Sequence, residues 1–250
     1  ALMKLGGALE WEIGISTLRH LFHTQGDSGF FYATADAKGT VIRDSSGVDR
    51  GLVRESGDVL YFLFKHFWLM QSRGQEVPQE FESGTRKLAN AFVRLWECYG
   101  QLGQFVNVNT GELIVGGSTS GGIVPAGLVS AYQYFKNEKY LKVAKAVAEQ
   151  YFRRDAVHGY TTGGPGEILQ GPDSESAFGL LESFVQLYDE TRDKIWLDRS
   201  IFMLHQCSSW VVPYNYLFPT TSEFSRLHMK TVGSIFANVQ NKHSAPGICT

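Results

Sequence analysis

Three groups of residues in this 250-residue chain have the types and spacing to do chemistry. The first is Asp173 and Glu175, two carboxyl groups where the Gly/Pro-punctuated stretch GEILQGP meets an apolar-periodic run. A carboxyl pair can divide acid from base when one member is kept protonated and the other ionised, held on opposite sides of a substrate. The second group is Arg54, Glu55 and Asp58, at the head of another apolar run. Asp58 or Glu55 would be the partner of Asp173, and the planar fork of Arg54 suits a carboxylate. The third is His158 and Tyr160, two proton-transfer side chains in a Gly-rich loop.

Each group has a structural alternative. Asp173 is an ideal helix N-cap, and Glu175 suits the positive end of a helix dipole. Arg54 can pair with a neighbouring carboxylate, and His158 and Tyr160 can pack on each other. The ring-rich stretch Trp210, Tyr214, Tyr216 and Phe218, around Pro213, offers either a wall for stacking a sugar face or filling beneath a loop. GGSTSGG, residues 116–122, lacks the Lys and spacing of a phosphate-binding loop and reads as a turn with a helix start. His20 and His23 lie three apart on a helix without an evident third ligand, so no metal is expected.

These groups must be positioned by helices. Apolar residues recur at helical spacing over about 9–23, 59–70, 88–102, 123–135, 140–152 and 174–210, with a last helix expected over Ser222 to Val239 that turns Phe224, Leu227, Val232, Ile235 and Phe236 inward. Residues 59–70 are apolar almost all round, which calls for burial on most sides. FVNVNTGELIVGG alternates about Asn109-Thr-Gly and reads as a short β-hairpin. Residues 25–51 form a long Gly/Asp/Ser-rich loop with a short hairpin around Phe30 to Ile42, and a loop of that length is more often a functional surface than a connector.

The helices come in pairs. Tyr140-Leu141 and Trp196-Leu197 both follow a short polar turn and stand 56 residues apart, Gly127 and Gly179 stand 52 apart, and Asp58 to Gly100 makes a third pair with a longer turn. Such a period means an array or toroid of α-hairpins. Long loops fall before the more apolar helix of each pair and short turns fall at the other end, so the long-loop end is the functional face.

The segments GPDSESAFGLLESFVQLYDETRDKIWL and SGGIVPAGLVSAYQYFKNEKYLKVAKAVA resemble the six-hairpin (α/α)6 toroid glycosidases, nearest in character to the unsaturated-uronyl hydrolases. The resemblance implies an all-α toroid over roughly residues 54–240. The whole of 1–250 would be a single toroid domain, incomplete or part of a longer chain, because about eight helices stand where a full ring needs twelve. It implies a carbohydrate-active enzyme, a glycoside hydrolase first. Asp173 would be the acid/base and Asp58 or Glu55 the opposing carboxylate. Glu175, Arg54, His158, Tyr160, Trp210 and Tyr214 would hold the sugar, with Arg54 clamping a sugar carboxylate. A uronate lyase or sugar epimerase working through His158 and Tyr160 is one alternative, and a non-catalytic helical-repeat binding domain is another.

Composition narrows the rest. A net charge of -2 with dispersed Lys and Arg gives no footprint for nucleic acid or an anionic membrane. No run of apolar residues is long enough to span a bilayer. The three cysteines, Cys98, Cys207 and Cys249, form no CxxC pair, so neither a disulfide framework nor a structural zinc is expected, and Cys98 and Cys207 read as buried thiols. The reading needs no cofactor. It leaves the compartment open between cytoplasm and a secreted or periplasmic setting.

Overall fold

The computed structural model describes residues 2–36, 38, 40, 41, 47–166, 169–240, 244 and 245. A short helix α1 (Leu2–Leu5) and α2 (Ala8–His23) precede three helical hairpins. These are α3 (Val53–Ser72) with α4 (Gln79–Tyr99), α5 (Val124–Phe135) with α6 (Glu138–Arg154), and α7 (Ser174–Thr191) with α8 (Lys194–Ser208). Helix α5 packs between α3 and α7, while α4 packs against both α2 and α6. The chain therefore lays down an inner and an outer layer, as an (α/α) toroid does.

Two of the tight turns use one device. The last residue of α5 is followed by Lys136 in the left-handed region (φ 57), and that of α7 by Arg192 (φ 56). Each donates its N–H back to a tyrosine carbonyl, Tyr132 and Tyr188, at 2.8 Å. Asn137 and Asp193 then cap the outer helices, accepting from the backbone of Lys139 at 3.0 Å and Ile195 at 3.1 Å. One step of 56 residues separates all of these pairs, and also the buried rings of Tyr140 and Trp196. The 52-residue step between Gly127 and Gly179 has no counterpart in the turns, because α5 has 12 residues and α7 has 18.

The opposite end carries the long connections. Strand β1 (Arg50–Leu52) runs straight into α3 and pairs antiparallel with β2 (Phe105–Asn107), which pairs with β3 (Leu113–Val115). This is the hairpin expected about Asn109-Thr-Gly. Where it is described, the 25–51 loop is a strap: Phe30 and Phe31 are buried, Phe30 stacks edge-on against Phe92 of α4, and Ser28 Oγ donates to the Val108 carbonyl at 2.6 Å. Bridges Gln25–Phe31 and Ala35–Val41 give it the short antiparallel character expected there, and 37, 39 and 42–46 lie outside the described residues.

Two expectations are corrected. Residues 222–239 do not form a helix: only α9 (Glu223–Arg226) is helical, and Phe224, Leu227 and Val232 are exposed. His228 (φ 50) and Gly233 (φ 86) break the helical path, and the segment beyond them finds backbone partners elsewhere. Val212 N–H donates to Ser234 O, Phe236 N–H to Trp210 O and Ser174 N–H to Ala237 O, at 2.8, 2.9 and 3.0 Å. Short strand β4 (Ile235–Phe236) pairs with β5 (Ser244–Ala245) in the same stretch. Cys98 is exposed because it shares the wet face of α4 with Arg94, while Cys207 is buried, its thiol pushed up to about 12 by burial. Cys249 lies outside the described residues.

Arg199 ties the outer layer together. Its guanidinium is buried between the Phe152 and Trp196 rings, 4.6 and 4.8 Å from their centroids, and pairs with Glu149 of α6. That pairing holds the Glu149 carboxyl below its ordinary value. Its contribution is therefore present above the usual glutamate range and lost as pH falls through the lowered value. Glu149→Gln is expected to cost about 1–3 kcal/mol in urea unfolding at pH 7, by weakening a charge-assisted bond to a buried cation. The gap between variant and parent should close in acid, and equal midpoints at pH 7 would contradict it.

Candidate active site

The inner helices meet at their N-terminal ends, and close approach there depends on two glycines. A Cβ on Gly57 would lie 2.8 Å from Val124 Cγ2, and one on Gly122 would lie 2.7 Å from the Ser176 carbonyl oxygen. Segment 120–124 is thus wedged between the first turns of α3 and α7. On the far side of that wedge a cavity of about 590 Å³ opens between α3 and α7, with Ser120 and Ile123 in its lining.

Each wall presents residues at helical spacing. Arg54, Asp58 and Tyr61 line it from α3, and Glu175, Gly179 and Glu182 from α7, both sets at positions i, i+4 and i+7. Two rungs join the walls. Arg54 Nε lies 3.0 Å from Glu175 Oε2, and Tyr61 donates its hydroxyl to Glu182 Oε1. Seven residues separate the rungs on each helix, about 10 Å along the axis. Gln186 Nε2 donates to the same Glu182 oxygen at 3.0 Å, and burial together with the bond from Tyr61 to Glu182 pushes the Tyr61 hydroxyl far above the usual tyrosine range.

Arg54 is the centre of the upper rung. Besides its ion pair with Glu175, it donates through NH1 to Asp58 Oδ2 at 2.6 Å and through Nε to the Gly164 carbonyl at 3.1 Å. Asp58 keeps 25% of its side chain in contact with solvent, enough for a substrate to reach it. Its pKa is raised to about 6: burial is the largest cause, Arg54 opposes it, and the charges of Glu175 and Glu55 add to it. Glu55, 100° round the helix from Arg54, is exposed and does not line the cavity.

Asp173 is placed differently. It is 0% exposed and caps α7, accepting from Ser176 N at 2.7 Å, Gly164 N at 3.0 Å and Ser176 Oγ at 3.1 Å. Its own N–H donates to Thr161 O, and an isolated antiparallel bridge joins it to Asn238. Burial raises its pKa to about 6 against the Ser176 and Gly164 bonds. Asp173 is absent from the cavity lining, which holds its neighbours Glu175 and Ser176 instead. At the Arg54 end of the cavity, Asp58 and Glu175 face a common space.

The remaining expected residues are not brought to this cavity. His158 and Tyr160 are exposed and stack on each other, centroids 6.5 Å apart. Trp210 packs against the core, and Tyr214 is exposed next to Tyr216 in a ring series that continues to Phe218 and Phe224. In the 116–122 stretch Ser118, Thr119 and Ser120 are buried, with Thr119 Oγ1 donating to Asp155 Oδ2 at 2.5 Å. Glu182, Tyr61 and Ser120 were not singled out individually from sequence. The repeated spacing of seven, 54 to 61 and 175 to 182, is a signal that could have found the first two.

No family model matches the sequence, and no curated protein aligns with it. Solved structures do share its architecture. Cellobiose 2-epimerase from Spirochaeta thermophila DSM 6192 is 14% identical, over 90% of this chain and 59% of that one, at a TM-score of 0.61. Unsaturated glucuronyl hydrolase from Bacillus sp. GL1 is 17% identical over 92% and 65%, at 0.54. The GH76 alpha-mannanase of Bacteroides thetaiotaomicron is 15% identical over 84% and 53%, at 0.57. The fold they share with this chain is a toroid of helical hairpins. The chain spans about half to two thirds of the length of the toroids it matches, and at these identities the likeness is one of fold. Among the described residues no three potential ligands gather to hold a metal ion, and no helix is long and apolar enough to cross a membrane.

A raised carboxyl pKa leaves a signature in stability. Between the ordinary aspartate value and about 6 the folded state holds a proton on Asp58 that the unfolded state has released. Asp58 therefore subtracts stability as pH rises through that window, and the loss is complete above it. Asp58→Asn is expected to gain stability relative to the parent from pH 4 to pH 6.5 and to hold that gain at higher pH. A difference in Tm that does not change with pH would show that Asp58 titrates normally.

Proposed function

We propose that the chain is the catalytic part of a carbohydrate-active enzyme, a glycoside hydrolase working through Asp58 and Glu175. The observation that carries this is the upper rung: two carboxyl groups from different inner helices reach into one cavity from the same guanidinium, with Asp58 able to keep its proton to about pH 6. The toroids of similar fold, a mannanase and an unsaturated glucuronyl hydrolase among them, support a sugar as substrate.

In this reading Asp58 is the general acid. It gives its proton to the glycosidic oxygen as the bond to the anomeric carbon breaks, so that the leaving sugar departs as an alcohol. Glu175 is the opposing carboxylate. It is held in place by Arg54, and it either takes a proton from the attacking water or forms the bond to the anomeric carbon itself. Arg54 is a positioning residue: with Asp58, Glu175 and Gly164 O on its guanidinium, it orients the pair. Asp173 is another, since its cap fixes the turn that carries Glu175. The apolar remainder of the cavity, with Phe62 and Trp68, offers faces for a sugar ring.

The test is release of sugar from a panel of plant and host glycans and aryl glycosides. The parent is expected to act on at least one member, with kcat/KM falling as pH rises past about 6. Asp58→Asn should lower kcat by about 10²–10⁴ at unchanged helix content. Asp173→Ala should instead lose about 1–2 kcal/mol of stability, as a lost N-cap does. A parent that releases nothing from the panel, or an Asp58→Asn enzyme of full activity, would refute the proposal.

A further inference from the structure

The wedge that separates the two inner helices carries a polar atom that the fold leaves unused. Ser120 is 0% exposed, its Oγ has no hydrogen-bond partner, and it lines the cavity that holds Arg54, Asp58 and Glu175. A buried hydroxyl without a partner costs free energy and invites a ligand group that supplies the missing bond. The neighbouring serines and threonine are satisfied within the protein: Ser118 Oγ accepts from Ser120 N at 3.3 Å, and Thr119 Oγ1 bonds Asp155. Ser120 alone of the three is among the residues that line the cavity.

The charge around that hydroxyl selects what can bind. The polar end of the cavity holds one guanidinium and two carboxyl groups, with the Glu55 charge felt by both Asp58 and Arg54 from outside. The guanidinium is engaged by both carboxyls and by a carbonyl, so it does not offer an open fork to an incoming anion. The two lysines in the lining sit elsewhere. Lys65 is seven residues beyond Asp58, about 10 Å along α3, with its ammonium over the Tyr61 ring at 4.6 Å and Lys4 comes from α1. A carboxylate brought to the upper rung would meet like charges, and like-charge contact is how sites reject wrong ligands.

We propose that the sugar unit seated at Asp58 and Glu175 is an uncharged hexopyranose, one of whose hydroxyls bonds Ser120 Oγ, and that a uronate is rejected from this position. The proposal rests on the reading of the cavity as a sugar site and names the substrate class at that position. It departs from the role of carboxylate clamp that resemblance suggested for Arg54.

The test is binding by chemical-shift titration at pH 7. Its probes are the methyl glycosides of glucose, mannose and galactose, each set against the uronic acid of the same configuration. At least one neutral glycoside should bind, at least about tenfold more tightly than its uronate. Ser120→Ala should weaken that neutral ligand about 3–10-fold, one neutral hydrogen bond, while leaving Tm unchanged or raised because an orphan hydroxyl is removed. Glu175→Gln should narrow the gap by strengthening the uronate. Uronates binding as tightly as neutral sugars to the parent, or neutral binding indifferent to Ser120→Ala, would overturn the inference and leave the hydrolase reading standing. Binding of neither class would overturn both.

Discussion

One guanidinium organises the polar end of this molecule. Arg54 sits on the first turn of an inner helix and meets a carboxylate of its own helix, a carboxylate of the inner helix across the cavity, and a backbone carbonyl of the 155–173 connection. A half-buried cation with two hydrogen-bond acceptors and a second carboxylate at ion-pair distance is stabilised against its desolvation, and each of these groups is oriented in return. The arrangement also explains how two acids can share a small space. Burial pushes Asp58 upward, Glu175 pushes it further, and Arg54 restrains both effects, leaving one carboxyl near the pH at which acid catalysis works. The second rung, Tyr61 to Glu182, holds the same two helices about two turns further on and keeps the cavity open between them.

Around that centre the chain is a repeated construction. The α5–α6 and α7–α8 turns carry the same left-handed residue and the same Asx cap, and this was legible because short polar turns between apolar runs leave few choices of chemistry. The inner and outer helices, the sheet hairpin at Asn109-Thr-Gly and the asymmetry of long and short connections were equally legible, since each rests on local period and punctuation. The toroid followed from those repeats.

What the sequence did not disclose depends on contacts far apart in the chain. The expected helix over 222–239 has apolar residues at helical spacing, yet backbone partners at 210–212 and 172–174 take up its N–H and C=O groups as extended chain. The pattern of its neighbours puts Cys98 inside, but four residues beyond Arg94 it falls on the wet face of α4. The carboxyl pair was found in part. Asp58 was named as an opposing group, and Glu175 as a substrate contact. That Glu175 rather than Asp173 faces the cavity is decided by the loop at Gly164, whose N–H closes over Asp173 and leaves Glu175 to turn toward Arg54. The cap and the functional carboxylate are two residues apart, and only the packing of the loop assigns the roles.

The site depends on Asp58 being a carboxyl whose proton is held by burial and whose charge is balanced by Arg54. Carbon-detected NMR titration of the Asp58 side-chain carboxyl, in the parent and in Arg54→Met, measures this directly. A midpoint near 6 is expected in the parent and a higher one in the variant, because the guanidinium is what restrains the rise. A parent midpoint at the ordinary aspartate value near 3.8, or one that does not move when Arg54 is replaced, would contradict it.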